Sequence, residues 1–508
     1  MARIVVVGAG MGGLSAAARL AALRHDVTVC EQAPVVGGKL GRYERDGFVF
    51  DTGPSLLTLP AVYRDLFRKT GRPLEDELEL LPVDPVCHYR FADGTRLDMP
   101  NGPPSRIAAA WDDAVGAGAG SAWLRLLARA EQIWDVTREP FLESPLDGVR
   151  TLARLATRVG DLRTVAPWRT LRGLGRGYLR HPHQRTVLDR YATYTGSDPR
   201  RAPAALVTVP FVEQTFGAWY VAGGVHRLAT AVARRAEAAG AKLRSEADVA
   251  QVLVEGGRAV GVLLADGEPV PADVVVVNAD AAHLYRDLLP GRPGARGQAA
   301  LRRVTPSLSG VVLLLALRGR TPGLGHHTVL FPADYDDEFD AVFGTGRRRG
   351  APAPCPDPTI YVSAPDDPAL RPDEGHEALF VLVNAPIHSS AGGSVGGSVI
   401  GIDWNEPGFA DRYADRVLDV MAARGLDVRD RLLWREVRTP AHLERDTRSV
   451  GGAIYGSSSN GPRAAFLRPP NRTAVPGLFL VGGSTHPGGG LPLVGLSAAI
   501  VTSLIGPA

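Results

Sequence analysis

Three glycines near the start of the chain have the spacing of a turn that binds a dinucleotide. Gly8, Gly10 and Gly13 form the pattern GxGxxG directly after the β-branched run Ile4 to Val7, and an alanine- and leucine-rich stretch follows. A strand, a glycine turn and a helix in this order place the free N–H groups of the helix N-terminus against a pyrophosphate. The first glycine permits the tight turn, the second lets the backbone approach the pyrophosphate, and the third packs helix on strand. The order of these elements favours a dinucleotide site over an isolated glycine-rich turn.

An acidic residue follows at the position where such a unit meets the adenosine ribose. The run Val27 to Cys30 predicts a second strand, which ends at Glu31, 23 residues after Gly8. A carboxylate at this position can accept hydrogen bonds from the ribose hydroxyl groups. Glu31 therefore strengthens the prediction of dinucleotide binding.

A second glycine doublet indicates which dinucleotide is expected. Gly37 and Gly38 are followed by Lys39 and Arg42, whose charges can meet a diphosphate, and then by the segment Phe50 to Ser55. Domains that bind NAD have no need of these segments. Their combination resembles the extended signature of the large FAD-binding superfamily of amine oxidases and carotenoid desaturases. The alternative is a surface loop with two solvated bases.

A glycine-rich segment near the end of the chain is expected to close the flavin site. Gly477 to Val481 predicts a buried strand that runs into Gly482 and Gly483, and a helix is predicted from about Gly495 to Ile505. The helix N-terminus supplies backbone donors that suit a diphosphate or the pyrimidine oxygen of a reduced, anionic isoalloxazine.

Strands are also predicted in the middle of the chain, so the FAD domain is expected to be discontinuous. These strands are Val249 to Val254, Gly261 to Leu264 and Asp273 to Asn278. The predicted cofactor-binding residues are Gly8, Gly10, Gly13, Glu31, Gly37, Gly38, Lys39, Arg42, Gly53, Pro54, Ser55, Val249, Asn278, Asp280, Gly482, Gly483, Leu493 and Val494.

The motifs resemble, along nearly the whole chain, the bacterial phytoene desaturase type of carotenoid desaturase and its close relatives. Beyond the segments already named, the resemblance rests on Gly223-Gly224, Val276 to Asp280, His326 to Thr328, Asp403-Trp404, Phe466 to Pro469 and Leu480 to Gly488. Two departures from the pattern of this family bear on the substrate and not on the cofactor. Ala498 stands where many relatives have glycine, and Gly452 to Gly456 resembles the branch that contains later-acting desaturases and terminal oxidases.

The resemblance implies an α/β fold with three parts, and a chain of 508 residues exceeds the usual size of a single core. A discontinuous, Rossmann-type FAD-binding domain is predicted at residues 1–75, 215–285 and 440–508. A mixed-sheet substrate domain is predicted at 76–130 and 286–439, and a helical, membrane-associating subdomain at 131–214.

The implied activity is FAD-dependent desaturation of an acyclic carotenoid, either phytoene or a later polyene. Because the flavin can accept the hydride, the protein must align the substrate, bury it and exclude water. A second nucleotide fingerprint is not found, since Gly116, Gly118 and Gly120 follow a predicted helix and Gly256-Gly257 lies in a predicted hairpin. A quinone or oxygen is therefore expected to reoxidise the flavin, rather than NAD(P)H to reduce it.

Few side chains are candidates for catalysis, and no residue is assigned as the proton acceptor. His326 and His327 are adjacent on a predicted strand, so their side chains are expected on opposite faces, where they cannot readily share a metal ion. One of them lines the substrate channel, or both simply pack. His486, in the loop expected near the flavin, is a candidate for positioning the ring or moving a proton, and alternatively a turn residue. No metal site is predicted.

Four residues lie in segments expected to flank the entrance of the cavity. They are Arg190, Tyr191, Trp219 and Tyr220. Aromatic residues at such positions belong more often to the core than to a cofactor cage.

The charge distribution excludes one class of partner and suggests another. A net charge of +3 is too small over this length to indicate nucleic acid, but residues 141–190 hold ten arginines and four acids, a local charge of +6. Arg150, Arg154 and Arg158 share one helical face beside apolar residues, which suits a helix in the headgroup region of an anionic membrane. The alternative is a solvated, arginine-rich helix.

The location predicted for the protein is the cytoplasm, with peripheral association at the inner face of the cell membrane. The start of the chain lacks the apolar region of a signal peptide, and no apolar run reaches the roughly 20 residues of a membrane-spanning helix. Three widely spaced cysteines without a CxxC predict neither disulfides nor a zinc site. A hydrophobic isoprenoid substrate would enter from the bilayer.

The residue patterns are compatible with several functions. Residue types do not distinguish phytoene desaturation from 3,4-desaturation or from terminal methyl oxidation. An amine oxidase on the same scaffold would need an aromatic cage beside the flavin. A flavin-binding scaffold of the Rab-escort type, without enzymatic activity, would lack the carboxyl-terminal motif.

Overall fold

A five-stranded parallel sheet gathers strands from both ends and the middle of the chain. The computed structural model describes residues 1–146, 159–390, 394–395, 398–399, 401–461 and 464–508. In spatial order, the strands of this sheet are Lys242–Arg244, Asp26–Cys30, Arg3–Val7, Val274–Val277 and Leu478–Leu480. Runs of β-branched residues without polar alternation are typical of strands that are covered on both faces.

The two faces of the parallel sheet have different coverings. Val6 and Val276 pack with the helices Met11–Ala22, Arg227–Ala238 and Leu491–Ile505. The residues on either side of Val6 and Val276 in the two strands point to the other face of the sheet. They pack on an antiparallel sheet of Val249–Glu255, Arg258–Leu264 and Pro269–Pro271. The hairpin predicted at Gly256-Gly257 is confirmed. The domain boundaries themselves stay a prediction.

The second large sheet has seven strands and mixed directions, so the predicted mixed sheet is confirmed. Among the described strands of this sheet, one pair is parallel and joins His327–Leu330 to Cys87–Arg90. Alternate apolar residues of its two longest strands pack against the helix Phe409–Ala423. In spatial order, the strands are Leu432–Arg438, Ser309–Arg318, His376–Ala385, Ile360–Ser363, His327–Leu330, Cys87–Arg90 and Arg96–Met99.

A helical part packs against the Cys87–Met99 edge of this sheet. Its core contains Trp111 and Trp123, whose ring centroids lie 4.9 Å apart and whose side chains are fully buried. The helices are Pro104–Val115, Ala119–Thr137, Val159–Val165, Leu171–Tyr178, Pro182–Arg190 and Thr208–Phe216. Within the described ranges, none of the helices combines the length and apolar character that a bilayer crossing requires. The predicted basic face at Arg150, Arg154 and Arg158 lies outside the described residues.

Shorter elements complete the fold. The remaining α-helices of the described ranges are Ala61–Thr70, Ala281–His283, Ala295–Leu301, Asp336–Phe343, Pro440–Thr447 and Ala464–Leu467. The remaining strands are Arg42–Arg45, Phe48–Asp51, Leu57–Thr58, Leu80–Pro82, Ala218–Val221, Ile387–His388, Ser394–Val395, Ser398–Val399 and Gly401–Ile402.

The expectation that His326 and His327 point to opposite faces of a strand is wrong. The strand begins at His327, so His326 precedes it and the alternation of side chains does not apply. The two imidazole rings contact each other, with centroids 4.5 Å apart. Within the described residues, no group of three or more metal-ligating side chains is close enough to hold a metal ion.

Candidate functional site

One large cavity has walls from both large sheets, and most of the predicted cofactor residues meet there. Its volume is about 720 Å³, within the range of cavities that bind large organic ligands. The predicted residues in its wall are Gly8, Gly10, Glu31, Gly37, Gly38, Lys39, Gly53, Pro54, Ser55, Val249, Asn278, Asp280, Gly483, Leu493 and Val494.

The glycine turn needs small residues for two different reasons. Gly8 has a φ of +93°, a backbone conformation that residues with side chains rarely adopt. Gly10 has an ordinary φ of −73°, but a Cβ atom there would lie 2.7 Å from Nδ2 of Asn278. Gly13 lies outside the cavity wall, and a Cβ atom on it would lie 2.1 Å from the carbonyl oxygen of Gly8. Gly10 therefore keeps space open at the cavity, whereas Gly13 lets the helix pack on the turn.

The carboxylate of Glu31 is held in place at the end of its strand. One oxygen accepts the N–H of Ala9 at 2.6 Å and the other accepts the N–H of Ala33 at 2.9 Å. Each carboxylate oxygen has a second lone pair, so both can still accept a hydroxyl group. Glu31 lines the cavity beside the glycine turn, where a ribose would lie.

The second glycine doublet packs directly on the first turn. The N–H of Gly37 donates to the carbonyl of Ala9 at 2.9 Å. Gly37 and Gly38 have φ values of +121° and +57°, and a Cβ atom on Gly38 would lie 3.3 Å from Cα of Gly10. The two turns together form a cradle of backbone with little room for side chains.

Lys39 points into the protein, whereas Arg42 does not. The Lys39 ammonium donates to the carbonyls of Ala453 and Ile454 at 3.0 and 2.6 Å. Burial lowers the pKa of Lys39 to about 8, against the attraction of Asp280. Arg42 lies outside the cavity wall, with 47% of its side chain exposed and paired with Glu44. The prediction that Arg42 meets the diphosphate is therefore not supported, because Arg42 starts a surface hairpin.

The carboxyl-terminal helix approaches the same cradle with its N-terminus. Leu493 and Val494, in its first turn, line the cavity together with Gly483. Gly482 lies just behind the wall, where its N–H donates to Oγ of Ser497 at 3.2 Å. A Cβ atom on Gly482 would lie 2.7 Å from Oδ1 of Asn278, so this glycine lets the end of the chain contact the middle strands.

A buried arginine, Arg468, was not among the predicted site residues but connects several segments of the site. The guanidinium of Arg468 donates to the carbonyls of Tyr455 and Gly483 at 2.9 Å each, and to that of Ser457 at 2.8 Å. Burial lowers the pKa of Arg468 to about 10, while Asp280 opposes the shift. The only signal in the sequence was its place in the motif Phe466 to Pro469.

Asp280 is the buried counter-charge of this region. Its Oδ1 accepts the N–H of Ala282 at 2.8 Å, while Oδ2 has no partner among the described residues. Burial raises the pKa of the Asp280 carboxyl, and the charge of Lys39 opposes the shift. The charges of Lys39 and Arg468 therefore act on one carboxylate at the wall of the cavity, although neither side chain forms an ion pair with it among the described residues.

The candidate catalytic histidines do not line the cavity. Nδ1 of His327 lies 3.0 Å from the carbonyl of Val86, and burial places the pKa of this imidazole well below its usual value. Nε2 of His486 lies 2.9 Å from the carbonyl of Ser144, and burial lowers its pKa as well. Both are absent from the wall, so their positions favour packing and turn formation over proton transfer.

Away from the glycine cradle, the wall is mostly apolar but contains a polar patch. The apolar part includes Trp134, Phe141, Leu206, Val209, Val212, Leu308, Val312, Phe380, Leu382 and Ile454. The polar part includes Arg190, Tyr194, Glu213 and Tyr361. Of these only Arg190 was expected near the cavity. Trp219 and Tyr220 lie outside the wall and bond to Phe216 and Asp367.

The residues present fit an FAD molecule. A backbone cradle that an added Cβ atom would fill, a fixed carboxylate at the end of the second strand and a helix N-terminus converge on one cavity. These are the groups that hold the pyrophosphate and ribose of a dinucleotide. The same cavity continues between apolar side chains, where a second, hydrophobic molecule can lie.

Comparisons with known proteins agree in family and fold. Residues 11–336 match the family described as "Flavin containing amine oxidoreductase". The 4,4'-diapolycopene oxygenase of Methylomonas sp is 32% identical over 99% of this chain and 98% of its own length. The hydroxyneurosporene desaturase of Rubrivivax gelatinosus is 35% identical over 99% of this chain and 93% of its own length.

Among solved structures, the chain is similar in fold to the cyclohexylamine oxidase of Brevibacterium oxydans. The TM-score is 0.60 over 99% of both chains, at 15% sequence identity. At this identity the likeness supports the fold alone.

Proposed function

The chain belongs to the family of flavin-containing amine oxidoreductases and is an FAD-dependent oxidoreductase, and we propose that its substrate is an acyclic carotenoid. The observation that carries this proposal is one continuous cavity, in which the glycine cradle opens directly onto a mostly apolar chamber. A long hydrocarbon matches such a wall better than a small polar amine. Two relatives that match the chain over nearly its whole length are named for carotenoids.

The proposed reaction removes a hydride and a proton from adjacent carbons and extends the conjugated system. When bound, FAD supplies the hydride acceptor. The chain contributes binding and orientation: the apolar side chains hold the polyene and keep water out of the chamber. Lys39 and Arg468 place two cations near Asp280 at the wall, a position that stabilises negative charge on a bound group.

The residues proposed to hold the cofactor are those that reach the cavity wall. Gly8, Gly10, Gly37 and Gly38 form the cradle for the pyrophosphate, and Glu31 accepts hydrogen bonds from the ribose. In the first turn of the helix Leu491–Ile505, the N–H groups of Leu491 and Leu493 are proposed to donate to the cofactor, since Pro492 has no N–H and the N–H of Val494 donates to the carbonyl of Gly490. Arg42 is not part of this proposal.

The electron acceptor and the attachment to the membrane are further parts of the proposal. A quinone or oxygen is proposed to accept the electrons from the reduced cofactor. Peripheral attachment to the inner face of the membrane is also proposed, and one described feature supports it. Trp168 is 67% exposed, and Arg163 and Arg169 lie close to it in the sequence, a combination that suits a membrane surface.

Terminal oxidation is the second candidate function, because one of the closely similar relatives is named an oxygenase. In that reaction the product carries oxygen on a terminal carbon, whereas desaturation removes hydrogen and adds none. The mass of the product therefore separates the two candidates.

The test is incubation of the FAD-reconstituted protein in liposomes with phytoene, lycopene or a hydroxylated lycopene, followed by absorption and mass analysis. We expect a red-shifted product that lacks two hydrogen atoms for each new double bond. A product with added oxygen would favour the second candidate. Unchanged carotenoids, together with oxidation of an amine supplied in a parallel incubation, would refute both.

A further inference from the structure

A buried arginine and a buried glutamate face the same cavity without forming an ion pair. Arg190 ends the helix Pro182–Arg190 and Glu213 lies in the helix Thr208–Phe216, and both line the wall. Arg190 is 7% exposed and Glu213 is 2% exposed. In an otherwise apolar chamber, such groups are costly unless a partner satisfies them.

The guanidinium of Arg190 has unused donors. Of its five N–H groups, one donates to the hydroxyl of Tyr194 at 2.7 Å, and no other hydrogen bond or carboxylate contact of this side chain is found in the described ranges. Its Cζ lies 5.1 Å from the ring centroid of Tyr194 and 5.5 Å from that of Tyr361. The two aromatic rings contact the guanidinium through their faces but accept no hydrogen bonds from the N–H groups at the edge of the guanidinium.

Glu213 has an unused acceptor. Its Oε1 accepts the hydroxyl of Tyr191 at 2.6 Å, whereas Oε2 has no partner within the described part of the chain. Burial raises the pKa of Glu213, and the bond from Tyr191 and the charge of Arg190 oppose the shift. The hydroxyl group of Tyr335, another residue in the wall, also lacks a partner there.

We propose that Arg190 and Glu213 bind a hydroxyl group of the substrate. A hydroxyl oxygen accepts a hydrogen bond from Arg190 and donates its own proton to a carboxylate oxygen, so it satisfies both side chains at once. A pure hydrocarbon would leave the remaining donors of Arg190 and Oε2 of Glu213 without partners, and the oxygen of a carbonyl group could accept from Arg190 but could not donate to the Glu213 carboxylate. The inference rests on the proposed function and narrows it: the substrate is an acyclic carotenoid that already carries a hydroxyl group.

The test compares lycopene with a lycopene derivative that carries a hydroxyl group near one end. We expect the wild-type protein to prefer the hydroxylated substrate in kcat/KM. Since a hydrogen bond to a charged group corresponds to about a 10- to 100-fold effect, Arg190→Met should lower the hydroxylated-to-hydrocarbon ratio of kcat/KM by about that factor. Glu213→Gln should lower the ratio less, because the amide keeps an oxygen and a nitrogen at the same position.

A matched control lies on the same helix. Arg185 is absent from the cavity wall and its guanidinium bonds to the carbonyl of Arg180, so Arg185→Met should leave the substrate ratio unchanged. FAD content and thermal unfolding of each variant report whether it folds. If Arg190→Met does not fold, Arg190→Lys replaces it, and the loss of the planar fork should still reduce the ratio.

Each outcome bears on a different claim. Desaturation of both carotenoids by the wild type without a preference, or an Arg190 variant with an unchanged ratio, would overturn the hydroxyl site and leave the proposed function intact. Failure of the wild type to desaturate either carotenoid would overturn both.

Discussion

Replacing Gly10 with valine tests whether the glycine turn holds the cofactor. The backbone of Gly10 has φ −73° and ψ 172°, an extended conformation that valine adopts without strain. The added Cβ would lie 2.7 Å from Nδ2 of Asn278, an amide whose bond to the carbonyl of Gly8 is long, at 3.4 Å. Because this amide can rotate away, we expect the apoprotein to lose only about 1 kcal/mol, the low end of overpacking.

The effect on FAD should be much larger than the effect on folding. The valine side chain would displace the amide of Asn278, which lines the cavity beside the turn, and would narrow the space for the pyrophosphate. We therefore expect the affinity for FAD to fall at least about 100-fold, or about 3 kcal/mol. Titration of the apoprotein with FAD, followed by flavin fluorescence, measures the affinity. Thermal unfolding with and without FAD provides a second measure, since a ligand that binds only the folded state raises Tm.

Two further variants separate loss of space from general damage. Gly160→Val adds a side chain on the helix Val159–Val165, where a Cβ atom meets nothing within 4 Å, and it should bind FAD normally. Gly13→Val would place Cβ 2.1 Å from a backbone oxygen and should fail to fold. A Gly10→Val protein that binds FAD within about threefold of the wild type would refute the assigned cradle.

Other variants test the membrane surface, a buried lysine and a buried arginine. Reversal of Arg150, Arg154 and Arg158 to glutamate should weaken sedimentation with anionic liposomes, since each basic residue near the surface is worth about 1 kcal/mol; unchanged sedimentation would count against the basic face. The pKa of Lys39 is lowered from 10.5 to about 8, so the unfolded chain binds more protons than the folded one between these values and stability should rise with pH across this window. Below pH 8 the full penalty of about 3 kcal/mol is present, and urea unfolding of the apoprotein should show this pH dependence in the wild type and not in Lys39→Met. Arg468→Met leaves three carbonyls without their donor and should lower the free energy of unfolding by about 3 kcal/mol; a change below about 1 kcal/mol in denaturant titrations would contradict the bonding described.

The parts of the site that are local in sequence could be predicted from the sequence. The GxGxxG turn, the acid after the second strand and the glycine doublet lie within one βαβ unit, so their spacing fixes their relative positions. The contribution of Asn278 was predictable because it follows directly on a predicted strand, at the edge of the sheet where ligands bind, and that of the carboxyl-terminal helix because a glycine-rich turn joins it to the strand before it.

Two sequence-based expectations failed because they depended on the exact start of an element. Arg42 was expected to face the diphosphate, but it begins a surface hairpin and points to solvent. His326 and His327 were expected on opposite faces, but the strand starts between them. A shift of one residue at a strand end changes where a side chain points.

The polar patch in the substrate chamber could not be predicted, because its members come from separate elements. Arg190, Glu213 and Tyr361 are brought together only by the packing of two helices on the mixed sheet. Glu213 is a single acid in the mainly apolar segment 207–216, and that isolation was the one signal of burial. Spacing along the chain carries no information about such contacts.

The central claim is that one cavity holds both FAD and the carotenoid, so that the two react directly. The most direct measurement is an anaerobic single turnover in which the FAD-loaded protein is mixed with an excess of an acyclic carotenoid in liposomes. The account predicts that the flavin absorbance bleaches while the carotenoid absorbance shifts to the red, with one flavin reduced for each new double bond. A flavin that stays oxidised while the carotenoid is converted, or that bleaches without any conversion, would contradict it.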